Sequence, residues 1–283
     1  MAVSHGESAL AQTATIPHPA PASTGSTEVA VGGFQPVVKP APDSKDGSQL
    51  RLTAGGLLSQ GNSRSIAATV AADYRLRQEL SQLSVLAAIN YGRSAASRGE
   101  PYQTSVENYQ AKVRYDYFFT PEVAGFVSAA ARRDRFQGLD LRLNVDPGVA
   151  YYFVDEKEEQ FWLELGYDLQ HDVRRDSFVQ AALLDPLAPD IAKSETSHSV
   201  RLFVGYKRAL AENLMFNAGV EDLESVQQSR DNRLNIDLAL TAKVQPWFSI
   251  ASTVSVRYDN QPLPGVEKTD VVSALNLVYS LSR

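Results

Sequence analysis

No cysteine occurs among the 283 residues. That absence excludes a disulfide framework, a cysteine-held metal and a thiol nucleophile together, and it is a frequent trait of bacterial envelope proteins. Histidine is scarce as well: His5 and His18 lie near the N-terminus, His171 and His198 stand apart in later segments, and no spacing of ligands converges on a metal. Basic residues are outnumbered, 27 Lys and Arg against 33 Asp and Glu, and a formal charge of −6 argues against nucleic acid as a partner. Long apolar runs are also missing. None approaches the about 20 residues of a membrane-spanning helix, so a helical anchor is excluded.

The first 48 residues are rich in Pro, Ala, Ser and Gly, as in His18-Pro19-Ala20-Pro21 and Lys39-Pro40-Ala41-Pro42. Such a composition buries no core and reads as a disordered periplasmic arm. Ala9-Leu10-Ala11 has the form of a signal-peptidase site, with neither a basic nor an apolar region before it. The expectation is a chain truncated upstream.

From Gln49 onward the pattern has period two. Ile66, Ala68, Val70, Ala72 and Tyr74 alternate with Ala67, Thr69, Ala71 and Asp73; Phe161, Leu163, Leu165 and Tyr167 alternate with Trp162, Glu164, Gly166 and Asp168; Leu234, Ile236, Leu238 and Leu240 alternate with Asn235, Asp237, Ala239 and Thr241. Each segment has one greasy face and one polar or small face, and no helix is expected to interrupt them. About twelve such segments follow, near residues 49–60, 63–76, 81–93, 105–119, 123–135, 141–154, 160–174, 196–208, 213–226, 233–245, 248–260 and 269–281. Their length, about 12 residues, exceeds the 5 or 6 of a soluble strand and suits a tilted strand crossing a bilayer.

Two further features decide which way the greasy face points. Connections alternate between short turns, such as Arg77 to Leu80 and Thr120 to Glu122, and longer loops, such as Ser94 to Thr104 and Arg175 to Glu195. Outer-membrane barrels have this asymmetry. Aromatics gather near the short-turn ends, among them Tyr74, Tyr117, Phe119, Tyr151, Phe153, Phe161, Tyr206, Trp247, Phe248 and Tyr279, which makes an interfacial girdle rather than a sandwich core. The expected fold is therefore all-β: an antiparallel transmembrane β-barrel of about 12 strands over residues 49–283, in the bacterial outer membrane, with both termini periplasmic. Its expected partners are outer-membrane lipids and the barrel-assembly machinery. No cofactor is expected.

The tetrapeptide VRYD occurs twice, at Val113–Asp116 and Val256–Asp259. Alternation turns Arg114, Asp116, Arg257 and Asp259 toward the lumen in both copies. The first copy ends a descending strand and the second an ascending one, so they sit at opposite mouths and do not duplicate a site. The stretches GLLSQGNSRS, ENYQAKVRYDYFFT, RRDRFQGLDLR and DPGVAYYF carry a family likeness, most specific at Asn108-Tyr109, Arg114-Tyr115-Asp116 and Arg133-Asp134-Arg135-Phe136 with Gly138. From Leu50 on, the chain resembles the YdiY-like family of salt-induced outer-membrane proteins. The resemblance implies an outer-membrane barrel with no established activity. Asp146-Pro147-Gly148 departs from the pattern, and Pro147 suggests a bulge. The chain closes Tyr279-Ser280-Leu281-Ser282-Arg283 without a terminal aromatic, leaving Tyr279 or Leu281 as the insertion signal.

Catalytic motifs are weak. Ser197-His198-Ser199 forms no workable dyad for a barrel phospholipase, because neighbouring strand residues point to opposite faces. Asp155-Glu156-Lys157-Glu158-Glu159 reads as a solvated turn. No enzyme is expected. What remains is the set of charges expected to line the lumen: Asp73, Arg75, Lys112, Arg114, Asp116, Arg142, Asp146, Glu164, Asp168, Asp172, Arg201, Lys207, Glu221, Asp237, Lys243, Arg257 and Asp259. Inside a narrow barrel such charges must pair. They brace the wall, and they either set the selectivity of a narrow passage for ions or small polar solutes, or fill a non-conducting protein that acts through its external loops.

Overall fold

The computed structural model describes residues 47–59, 64–95, 100–156, 158–184, 191–227, 231–262 and 268–282. The expected arm, up to residue 46 and including Ala9-Leu10-Ala11, lies outside the described residues. Twelve strands follow: β1 (Gly47–Ser59), β2 (Arg64–Gln78), β3 (Ser81–Ala95), β4 (Gln103–Phe118), β5 (Val123–Asp134), β6 (Leu139–Asp155), β7 (Glu159–Arg174), β8 (Ser194–Ala211), β9 (Leu214–Ser225), β10 (Asn232–Gln245), β11 (Phe248–Asp259) and β12 (Thr269–Ser282). Each pairs antiparallel with its neighbours in sequence. β1 closes on β12 through pairs such as Leu52 with Tyr279, giving a closed barrel without edges.

Alternation places the side chains as the period-two pattern requires. Outward lie Val70, Ile89, Val113, Leu165, Leu238 and Leu275, all exposed; inward lie Asp116, Glu164, Asp168 and Asp237, all nearly inaccessible. Apolar outside and polar inside is the inverse of a water-soluble barrel. At the short-turn end the outward aromatics touch one another, with ring centroids 5.3 Å apart for Tyr117 and Phe119, 4.8 Å for Tyr151 and Phe153, and 5.6 Å for Trp247 and Tyr279.

Two local expectations need correction. A helix does interrupt the strands: α1 (Asp176–Leu184) lies in the loop between β7 and β8. The segment DSFVQAALL breaks alternation, is built largely of helix formers, and begins with an acid that suits a helix N-terminus. None of its residues is buried. Pro147 also makes no bulge. Val145 pairs with Leu169 and Gly148 with Gly166, so one register runs straight across it, while the β6–β7 ladder shifts between Tyr152 and Val154. The missing proline N–H removes ladder bonds without inserting a residue.

Candidate functional site

The lumen has three storeys. The one nearest the short turns is aromatic: Phe118, Phe126, Tyr152, Trp162 and Phe203 pack with Ala124 and Ala150 into a buried cluster across β4 to β8. Tyr152 and Trp162 stack at 6.4 Å, and Trp162 meets Phe203 at 5.9 Å. Two glycines make room. A Cβ on Gly205 would stand 1.9 Å from Trp162 Cζ2, and one on Gly148 would stand 2.5 Å from Phe126 Cζ. Gly205 is therefore not spare lumen space, since an indole lies on it. The opposite wall is small and polar, with Thr53, Ala251, Thr253 and Asn276 buried.

Above the rings runs an ionic chain. The Arg114 guanidinium donates to Asp116 at 2.9 Å and, crossing in front of β5 and β6, to Glu164 on β7 at 3.0 Å. Arg201 donates to the same Glu164 at 2.8 Å and to Glu221 at 2.6 Å, and Asn235 adds a bond to Glu221 at 2.9 Å. Five strands are thus tied by one alternating row of charge. Cation–π contacts fasten this row to the aromatic storey: Arg114 lies 4.0 Å over Phe126 and Arg201 5.3 Å over Phe203. Charges this buried are tolerable only because each faces an opposite one.

The third storey, in the long-loop half, holds a cavity of about 300 Å³. Of the expected lumen residues, Lys112, Arg142, Asp146, Asp168, Asp172, Arg201, Glu221, Arg257 and Asp259 line it. Arg142 pairs with Asp172 at 2.6 Å, and Arg257 with Asp237 at 2.6 Å. Burial pushes the Asp231 carboxyl, in the loop before β10, above the usual carboxylate range. Other members of the expected set are dispersed. Asp73 pairs with Arg51 at 2.8 Å, Lys207 on β8 feels Arg75 on β2 and Arg51 on β1 from the opposite wall, and Lys243 stands exposed at the short-turn rim.

Sequence reasoning missed Gln110, Arg132, Gln170 and Arg233 as cavity residues, and it missed the aromatic storey altogether. A signal for the latter existed: Tyr117-Phe118-Phe119, Tyr151-Tyr152-Phe153 and Phe161-Trp162 are runs of consecutive aromatics, and alternation must turn one ring of each run inward. The two histidines among the described residues face outward, where His198 Nδ1 contacts the Tyr167 hydroxyl and His171 Nδ1 lies 2.8 Å from Thr196 Oγ1, while Ser199 is buried on the lumen side. In the long loop, α1 buries none of its residues, while Ile191 beyond it is buried. Lys193 pairs with Asp176 at 2.6 Å and with Asp140 at 3.4 Å, and Arg175 with Asp140 at 3.1 Å, so the loop is pinned to the start of β6. The hydrogen bond from Lys193 to Asp176 raises the Lys193 pKa.

A family model described as "Protein of unknown function, DUF481" matches residues 52–281. Comparison with curated protein sequences gives no match. Among solved structures, the chain is similar to the translocator domain of the autotransporter NalP from Neisseria meningitidis, with 12% identity and a TM-score of 0.46 over 84% of this chain and 90% of that one. It is likewise similar to an outer membrane channel from Pseudomonas putida F1, with 13% identity and a TM-score of 0.46 over 87% and 100% of the two chains. The NanC porin matches at 10% identity and a TM-score of 0.45, over 82% and 97%.

Proposed function

The chain belongs to the DUF481 family of proteins of unknown function, and we propose that it is a bacterial outer-membrane barrel whose lumen forms a narrow, constricted passage for ions or small polar solutes. The observation that carries this reading is the inversion of the barrel: a belt of exposed Val, Leu and Ile around a lumen of buried charges and a polar cavity. Water is a poor solvent for such an exterior and lipid a good one, so the long strands, the girdle of rings and the alternation of short and long connections all find one explanation in a bilayer. The start of β1 and the end of β12 lie at the short-turn end, which supports a reading with both termini periplasmic and insertion by the barrel-assembly machinery. The narrower likeness to the YdiY-like salt-induced proteins belongs to the same reading and names no solute.

The ionic chain and the aromatic storey are its constriction. Arg114 is the one cation that spans from β4 to β7 in this chain of bonds, so its removal widens the path most, and Glu164 keeps Arg201 as a partner. Single-channel recordings in planar bilayers test the passage. An Arg114→Ala, Arg142→Ala double variant is expected to conduct about two- to threefold more than the wild type and to shift toward cation selectivity, because two lumen positive charges are lost. If wild type and variant, both correctly folded, stay silent, the passage reading fails. The second reading, a non-conducting envelope protein acting through its loops, would then stand on the exposed Leu183 and Leu184 of α1.

A further inference from the structure

The cavity in the long-loop half contains polar groups that the barrel itself leaves unanswered. Asp146 takes a hydrogen bond from Ser128 on one oxygen at 2.8 Å, and Asp168 takes one from Asn144 at 2.7 Å. Their other oxygens, Asp146 Oδ1 and Asp168 Oδ2, are buried and receive no donor from the protein. The two carboxyls lie within hydrogen-bond distance of each other, so a proton shared between them is the one donor available there without a ligand. Lys112 and Arg201 act on Asp146 through space and donate nothing to its Oδ1. Arg233 stands 3.7 Å from Asp168 Oδ2, beyond hydrogen-bond reach, and is engaged with Gln170. Independently of these acids, Gln110 is 9% exposed, lines the same cavity, and has neither its amide nitrogen nor its amide oxygen bonded. Buried polar groups in this state cost free energy unless something from outside satisfies them.

Register shows that these groups face one another. Arg114 lies in line with Ser128 and Asp146, and through the straight β6–β7 register with Asp168; yet its side chain reaches Glu164, four residues nearer the short turns on β7. The strands are tilted, so a level line from β4 to β7 drops by about four residues relative to the register. Gln110 is in line with Arg132, Arg142 and Asp172. The same drop brings it level with Asp168, across the cavity.

We propose that this cavity binds a small amino alcohol or similar primary amine carrying a second polar group: its ammonium sits against the Asp146–Asp168 pair in place of the proton the two carboxyls share, and its hydroxyl is met by the Gln110 amide. An ammonium offers three donors to two carboxylates that lack them, and an amide can both give to and take from a hydroxyl. The proposal rests on the polar-lumen reading above and assigns that lumen a ligand class.

Calorimetric titration of the folded full chain in detergent, with ethanolamine as the probe at constant ionic strength, tests it. Saturable binding is expected in the millimolar range, weakened at least about tenfold in Asp146→Asn and in Asp168→Asn. Gln110→Leu is expected to abolish the preference for ethanolamine over ethylamine while leaving ethylamine binding in place. Retention of the heat-modifiable gel shift identifies folded variants. Absence of saturable ethanolamine binding, or equal binding of choline, which has no N–H, overturns the proposal. Because binding needs no through-passage, its failure alongside open-channel currents sinks the ligand and spares the channel, and silent bilayers alongside binding do the reverse.

Discussion

Trp162→Ala is expected to destabilise the inserted barrel by about 3 kcal/mol and to raise its conductance. Truncating a buried Trp in a packed core costs about 3 to 5 kcal/mol. Here the lower end applies, because the indole N–H is buried without an acceptor and its loss removes that penalty. Trp162 is 1% exposed, stacked on Tyr152 and packed against Phe203 and Gly205, so its removal leaves a void inside the lumen at the storey nearest the short turns. A companion change separates packing from a general weakening. Gly205→Ala puts a Cβ into the indole and is expected to cost about 1 to 3 kcal/mol in the wild type, whereas on the Trp162→Ala background it enters empty space and costs close to nothing. Reversible urea unfolding in lipid vesicles measures all four corners of the cycle. Additive costs would mean that Trp162 does not rest on Gly205, and unchanged conductance in Trp162→Ala would remove the aromatic storey from the constriction.

The outward face supplies the second large effect. Leu238 is 39% exposed and lies at the middle of β10, with Ala218 and Val254 beside it on the neighbouring strands. Leu238→Arg is expected to cost about 2 to 4 kcal/mol in vesicles, the range for a cation brought to the bilayer midplane on a barrel's lipid face. The same substitution at Leu281, exposed beside the C-terminal end of β12, is expected to cost about 1 kcal/mol or less, because the interface is wet. That depth dependence is the informative part. Equal costs at the two positions, or a negligible cost at Leu238, would show that no bilayer surrounds the belt. Asp237→Asn is no neutral control, since Asp237 is 2% exposed and pairs with Arg257 at 2.6 Å, and removing one partner of a buried pair leaves a charge behind.

Much of the architecture was legible because a strand's side-chain period is two. Once Val113, Tyr115, Leu165 and Leu238 are read on one face, Arg114, Glu164 and Asp237 must lie on the other, and a run of twelve long segments with alternating connection lengths closes most simply as a barrel. The helix α1 escaped because nine residues in a loop carry little periodic signal against the alternation on either side. Pro147 misled because a missing donor was read as an inserted residue, and only the ladder on both sides shows that the count is unchanged.

Strand number, the face each residue takes and the sign of each lumen charge are all properties of local order along the chain, and the amino-acid order alone was enough to fix them. Which charges meet was settled by closure of the barrel. Arg114 finds Glu164 three strands away, Arg233 finds Gln170 three strands away, and Gln110 comes level with Asp168, because strand tilt displaces each wall position along the axis by an amount that depends on how many strands separate it from its partner. The same closure set Trp162 into the space over Gly205. Alternation says that both point inward; how far each reaches across the lumen depends on the radius of the closed barrel, which no single segment contains.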